Sequence, residues 1–291
     1  CNYHEQEERN MTEKSFESER EKIFSSLFAM QWNEKRIWEH IRDGVLSATP
    51  AFEGDLYYAA DTKIMFVGRD LNGWDAGLSD CSTLRNTVES IVHQEGALDT
   101  LVDARGFGNG KRKYYHKNSN FFRFIKHILE FVGESDTDLD NTWYSDSKRW
   151  NQRFVWTNLY CISPRNPTTM LDSHFDNAMT KQGINDYIDL MELYIKHYKP
   201  DVAIFITDIY GWFVRWSRLR SFKDIVNNYE ETLSGDTIVA TGEVGKTKII
   251  VCKRPDKRGT SHKRVQDMAE VVAQYITQTK EQTLKHCTTK Q

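Results

Sequence analysis

Apolar positions along this chain recur at two different periods, and the points where the period changes divide it into elements. From Glu13 to about Arg42, Phe16, Ile23, Phe24, Leu27, Phe28, Trp32 and Ile37 return near helical spacing between charged residues, which predicts an amphipathic helical start. Lys63 to Gly68 is the first strong strand, and it runs into a polar loop carrying Arg69, Asp70, Asn72, Gly73 and Trp74. Helical pattern returns from Ser82 to Gln94 and from Asn120 to Val132. Gln152 to Tyr160 reads as a strand closed by Ser163-Pro164 and Asn166-Pro167 as loop punctuation. A long helix from about Phe175 to His197 leads through Lys199-Pro200 into a strand from Asp201 to Thr207. Irregular helical sequence covers Trp212 to Tyr229. Thr237 to Ala240 and Lys246 to Cys252 are strands around a turn, and a helix from His262 to about Gln278 follows.

Strands that alternate with helices predict an α/β fold, a three-layer αβα sandwich with a central, mainly parallel sheet. Ligands in such sheets sit beyond the carboxyl ends of the strands, so the loops after Gly68, Asn158, Thr207 and Cys252 become the candidate site. No repeat or linker interrupts the pattern. The organisation expected is a helical extension over 1–50 packed on one α/β domain over 51–280, with a polar tail over 281–291. Met11-Thr12-Glu13-Lys14 reads as a natural start, which would place residues 1–10 upstream of it.

Composition narrows the classes without choosing among them. The 291 residues hold 39 Lys+Arg against 42 Asp+Glu, a net charge of −3, with 39% hydrophobic and 28% charged residues. These values fit a globular protein and exclude disorder along the whole chain. No apolar run approaches the roughly 20 residues of a membrane helix, so no membrane role is expected. The five Cys are scattered without a C-x-x-C pair, and the nine His lack helical i, i+4 pairing. The expectation is a reduced, cytoplasmic protein with no metal and no cofactor.

Charge distribution says more than its sum. The span from Ala104 to Leu129 holds no acid, but carries Arg105, Lys111, Arg112, Lys113, Lys117, Arg123 and Lys126 among Phe107, Tyr114, Tyr115, Phe121 and Phe122. The loop after Cys252 adds Lys253, Arg254, Lys257, Arg258, Lys263 and Arg264 against Asp256 alone. A third stretch sets Arg215, Arg218, Arg220 and Lys223 beside Trp212, Phe213 and Trp216. Cations that neutralise phosphates and rings that stack on bases suit nucleic acid, although any one run also fits a solvated face.

Two glycine patterns carry no nucleotide chemistry. Ala240 to Thr247 fits a loosened P-loop, but Lys248 to Cys252 continue as a strand and offer no helix N-terminus to phosphate. Gly242 to Gly245 therefore reads as a hairpin turn. Gly106-Phe107-Gly108-Asn109-Gly110 has the wrong spacing for a dinucleotide fingerprint and reads as a mobile loop.

The informative constellation is Val67-Gly68-Arg69-Asp70 with Val155-Trp156-Thr157-Asn158-Leu159. A carboxylate just past a buried strand can be held at the floor of a cleft to activate water. An amide at the end of the neighbouring strand offers a donor and an acceptor to a heterocycle edge. Both residues equally fit local roles, Asp70 as a helix cap and Asn158 as a turn residue.

These residues resemble the uracil-DNA glycosylase superfamily. There one strand ends in Gly-x-Asp-Pro-Tyr-His or a relative of it, a later strand ends in a base-reading Asn, and a final loop carries His-Pro. Gly68-Arg69-Asp70 matches the first element, Trp156-Thr157-Asn158-Leu159 is similar to the second, and Cys252-Lys253-Arg254-Pro255 stands in place of the third. The likeness spans about Lys63 to Tyr275 through short motifs. It implies that Asp70 orients the attacking water, Asn158 reads a flipped base, and Arg254 or His262 faces the leaving base anion. It also implies a base pocket of Gly68, Arg69, Asn72, Tyr115 and Phe121, with Lys111, Arg112, Lys113, Lys253, Lys257 and Arg258 on the DNA phosphates.

Leu71-Asn72-Gly73 replaces the family's Pro-Tyr-His, so the aromatic that closes the C5 side of a uracil pocket is missing. Asn72 would leave room for a C5-enlarged cytosine, such as glucosylated hydroxymethylcytosine of phage DNA. The narrower resemblance is thus to phage-defence glycosylases, antiviral enzymes of the same superfamily. The expected activity is a monofunctional DNA N-glycosylase, acting as a monomer on single- or double-stranded DNA and leaving an abasic site. No Lys sits where a Schiff base would form. The alternatives are a uracil-repair glycosylase, a non-catalytic nucleic-acid-binding module on the same fold, and a small-molecule hydrolase on a similar sheet.

Overall fold

The computed structural model describes residues 2–29, 46–48, 50–69, 120–134, 153–164, 184–210, 213–214, 220–232, 237–255 and 260–288. Among these, four helices are α1 (Asn2–Ala29), α2 (Asn120–Phe131), α3 (Ile184–Tyr198) and α4 (His262–Thr288). Nine strands are β1 (Leu46–Ala48), β2 (Phe52–Glu53), β3 (Ile64–Gly68), β4 (Phe154–Asn158), β5 (Ile162–Pro164), β6 (Val202–Ile206), β7 (Asn227–Glu231), β8 (Ile238–Val244) and β9 (Thr247–Cys252).

Seven strands form one sheet in the order β2-β4-β3-β6-β9-β8-β7. The central four, β4, β3, β6 and β9, are mutually parallel, while β2, β8 and β7 pair antiparallel at the two edges. A central parallel strand is covered on both faces, which is why Ile64 to Gly68 are all buried. Ile64, Phe66, Phe154, Trp156, Ile204 and Ile250 pack against Phe124, Ile128, Val265 and Val272 of α2 and α4. The alternate residues Met65, Val67, Val155, Ala203, Phe205 and Val251 pack against Phe24 of α1 and Ile188, Met191 and Tyr194 of α3. Helices therefore cover both faces, an αβα layering.

Chain direction at the carboxyl ends follows from these two packings. The helices described next after β3 and β9, α2 and α4, pack on one face of the sheet, whereas α3 after β4, and Phe213 and Phe222 after β6, pack on the other. In open α/β sheets ligands bind at the carboxyl ends of the strands where such a reversal occurs.

Three elements differ from the sequence pattern. Ser163 and Pro164 belong to β5, which pairs with β1, rather than to a plain loop. Among its described residues, the stretch read as helical up to Tyr229 holds a 3-10 turn over Phe222–Ile225, fixed by a Ser221/Asp224 capping box, and then the edge strand β7. β8 runs on through Gly242 to Val244, so the turn is only Gly245-Lys246. With φ of 59° at Gly245 and none positive at Lys246, it has the form of a type II′ turn. Gly242 is instead a point of close approach, where a Cβ would lie 2.3 Å from Val226 Cγ1 and 2.9 Å from the Asn227 carbonyl. The proposed helix over Ser82 to Gln94 and the glycine loop from Gly106 to Gly110 lie outside the described residues.

On the α1/α3 face, Phe16 stacks on His197 with centroids 3.6 Å apart. Burial, aided by Arg20 and Lys199, pushes the imidazole down to about 4 despite the Glu13 carboxylate 3.7 Å away. The folded state thus resists a proton that the unfolded chain accepts near pH 6.5. Stability is full above that pH and falls as pH drops toward 4, by about 3 kcal/mol at most. Urea unfolding of wild type at pH 7 and pH 4.5 is expected to show this drop, and His197→Gln to flatten it.

Candidate functional site

The apolar stripe of the α2/α4 face stops at the carboxyl ends of β3 and β4. Ile64 and Phe66 are followed by Gly68, and Phe154 and Trp156 by Asn158, and Gly68 and Asn158 are direct register partners. The pairing continues beyond them, with Leu159 N–H donating to the Gly68 carbonyl and Tyr160 N–H to that of Arg69, each at 2.9 Å. A Cβ on Gly68 would stand 2.2 Å from Asn158 Oδ1 and 3.5 Å from Phe121 Cζ. Glycine is required here for space, because the Asn158 amide lies across the Gly68 backbone with the Phe121 ring beside it.

Asn158 is 5% exposed, yet its Nδ2 has no hydrogen-bond partner. A buried, unsatisfied amide donor costs about 1–3 kcal/mol, and such groups are rare without a reason. Thr157 Oγ1 is also unpartnered, but alternation sends it to the opposite face. The Asn158 donor is therefore an unpaired polar group at the Gly68–Phe121 corner.

A second cluster joins the ends of β3, β6 and β9. Arg69 Nε donates to the Thr207 carbonyl at 2.9 Å, and its Nη2 forms an ion pair with Asp208 Oδ2. Asp208 Oδ1 accepts from the Arg254 backbone N–H at 3.2 Å, and Asp208 N–H donates to the Cys252 carbonyl at 3.0 Å. Arg69 thus engages β6 through its guanidinium. Asp208, absent from the sequence-derived site, stands at its centre. The signal available was a polar Thr207-Asp208 pair directly after a fully buried strand.

The chain after β9 is also tied to α2. Asn120 Nδ2 donates to the carbonyls of Pro255 and Thr260, both at 3.3 Å, at the helix end that carries Phe121. Arg123 Nη1 contacts His262 Nε2, and since guanidinium only donates, the imidazole nitrogen accepts. Lys253 N–H donates to the Thr237 carbonyl at 2.9 Å, which extends the β8/β9 pairing.

The structure therefore gathers Gly68, Asn158 and Phe121 at one corner, Arg69 and Arg254 around Asp208, and His262 against α2. Asp70, Asn72, Lys111, Arg112, Lys113, Tyr115, Lys257 and Arg258 lie outside the described residues. Among the described residues no group of three or more His, Cys, Asp or Glu is placed to hold a metal ion, and no helix is long and apolar enough to cross a membrane. Compared with known proteins, the chain matches no family model and no curated protein.

Proposed function

We propose that this protein is a DNA glycosylase that flips a modified pyrimidine from the stack and hydrolyses its N-glycosidic bond. The observation that carries the reading is the buried, unpartnered Asn158 Nδ2 at the carboxyl end of β4, beside Gly68 and the Phe121 ring. A donor held ready next to an aromatic face suits the acceptor edge of a flipped base. The place of this donor at the carboxyl ends of the central strands supports it by location, and the sequence resemblance supplies the reaction.

In this mechanism Asp70 positions a water, whose oxygen bonds to C1′ of the sugar. The C1′–N1 bond breaks with its electron pair passing to the base, and the proton lost by water balances the base anion. Negative charge on Asp70 favours the oxocarbenium-like sugar, and a cation favours the departing base. The candidates for that cation are Arg254 and His262, and His262 Nε2 contacts Arg123. Lys253, Lys257 and Arg258, with Lys111, Arg112 and Lys113, grip phosphates. The favoured base is a C5-enlarged cytosine, since Asn72 stands where the resembled family closes the C5 side with an aromatic. A monomer acting in the cytoplasm on phage DNA completes the reading.

The test is base release by mass spectrometry from matched duplexes and single strands that carry uracil, cytosine, hydroxymethylcytosine or glucosylated hydroxymethylcytosine. Release of only the C5-enlarged bases is expected. Release of uracil would make the protein a repair enzyme, and DNA binding with no release from any substrate would make it a binding module.

A further inference from the structure

We propose that Asp208 is a positioning residue for this site, holding the chain at Arg254 in register with the end of β3. The proposal rests on the glycosylase reading above. Asp208 comes from β6, the strand between β3 and β9, and its two carboxylate oxygens are divided between them. Oδ2 takes the Arg69 guanidinium and Oδ1 the Arg254 backbone N–H. Its own N–H is directed to the Cys252 carbonyl, and its carbonyl accepts from Thr207 Oγ1 at 2.9 Å.

This arrangement requires φ of 60° at Asp208, a left-handed conformation in which L residues other than Asn and Asp are uncommon. Such backbone conformations persist where surrounding contacts over-determine them, and they cluster at functional sites. The conformation turns the carboxylate back across the strand ends, where it serves both neighbours. Arg254 then begins its departure from β9 from a fixed point, and the Asn120 contacts to Pro255 and Thr260 fix the next step of the same chain. The consequence is a fixed backbone origin for the Arg254 side chain. The ion pair to Asp208 anchors Arg69, the residue that precedes Asp70 in sequence.

Asp208→Gly and Asp208→Asn separate the roles. Glycine accepts φ of 60° without strain, so the first variant keeps the backbone while losing both carboxylate contacts. Asparagine keeps an acceptor for the Arg254 N–H and gives up the charge facing Arg69. In single-turnover release of the preferred base, Asp208→Gly is expected to be slower by about 100-fold, as for a catalytic group displaced by about an ångström. Asp208→Asn is expected to recover to within about tenfold of wild type. DNA affinity should change by less than about threefold in both, so the loss appears in the rate and not in binding.

Amide exchange at Arg254, followed by NMR, is expected to be slow in wild type and about tenfold faster in Asp208→Gly. Wild-type release rates in Asp208→Gly would overturn the proposal and leave the glycosylase reading intact. Unchanged Arg254 exchange in Asp208→Gly would overturn it even for an inactive protein. A wild type that releases no base overturns the reading itself, and with it any role of Asp208 in catalysis.

Discussion

Replacing Asn158 with Ala is expected to slow base release by about 10²–10³-fold while folding stability holds or rises slightly. The rate loss is that of removing one preorganised donor from a water-poor site. The stability argument runs the other way from most buried substitutions. Asn158 carries a donor that finds no partner in the folded protein, a cost of about 1–3 kcal/mol that the truncation removes. Against it stands the small void left by the amide, a loss of about 1 kcal/mol. Single-turnover kinetics and urea unfolding on the same preparation decide the matter. A variant destabilised by more than about 2 kcal/mol would show Asn158 to be a structural residue, and the reading of its free donor would fall.

What the sequence made legible is the part of the protein governed by periodicity. β3, β4, β6 and β9 are short apolar runs, and α2 and α3 show helical spacing, so the order of elements and the carboxyl-end loops follow from pattern alone. β7 was not legible. Its sequence Asn-Asn-Tyr-Glu-Glu has little apolar alternation, because an edge strand is exposed and is held by backbone pairing to β8 and by Tyr229 stacking on Phe213. β1 and β5 are three residues each and exist only as each other's partner, a relation between positions more than a hundred residues apart.

The site divides in the same way. Asn158 stands out in sequence because an amide ends an apolar strand. That Gly68 must lack a Cβ because of Asn158 is a cross-strand fact, invisible in either segment alone. Arg69 is legible as a cation next to Asp70, but its engagement by Asp208 and Thr207 depends on β6 lying beside β3. Asp208 itself depends on a left-handed backbone that no residue preference near it announces. Contacts between strand ends set by topology, rather than by local pattern, are what the sequence does not display.

Asp70→Ala is expected to lower base release by at least about 10³-fold with DNA affinity preserved. Two contributions are lost together, the orientation of water and the negative charge that favours the cationic sugar. DNA affinity should hold or increase, since the substitution deletes a negative charge from a surface that meets phosphates. Release at near wild-type rates by Asp70→Ala would mean that the water is activated elsewhere and would remove the main support for the resemblance at Gly68-Arg69-Asp70. Equal loss of release and of binding would instead assign Asp70 to folding of the loop that follows β3.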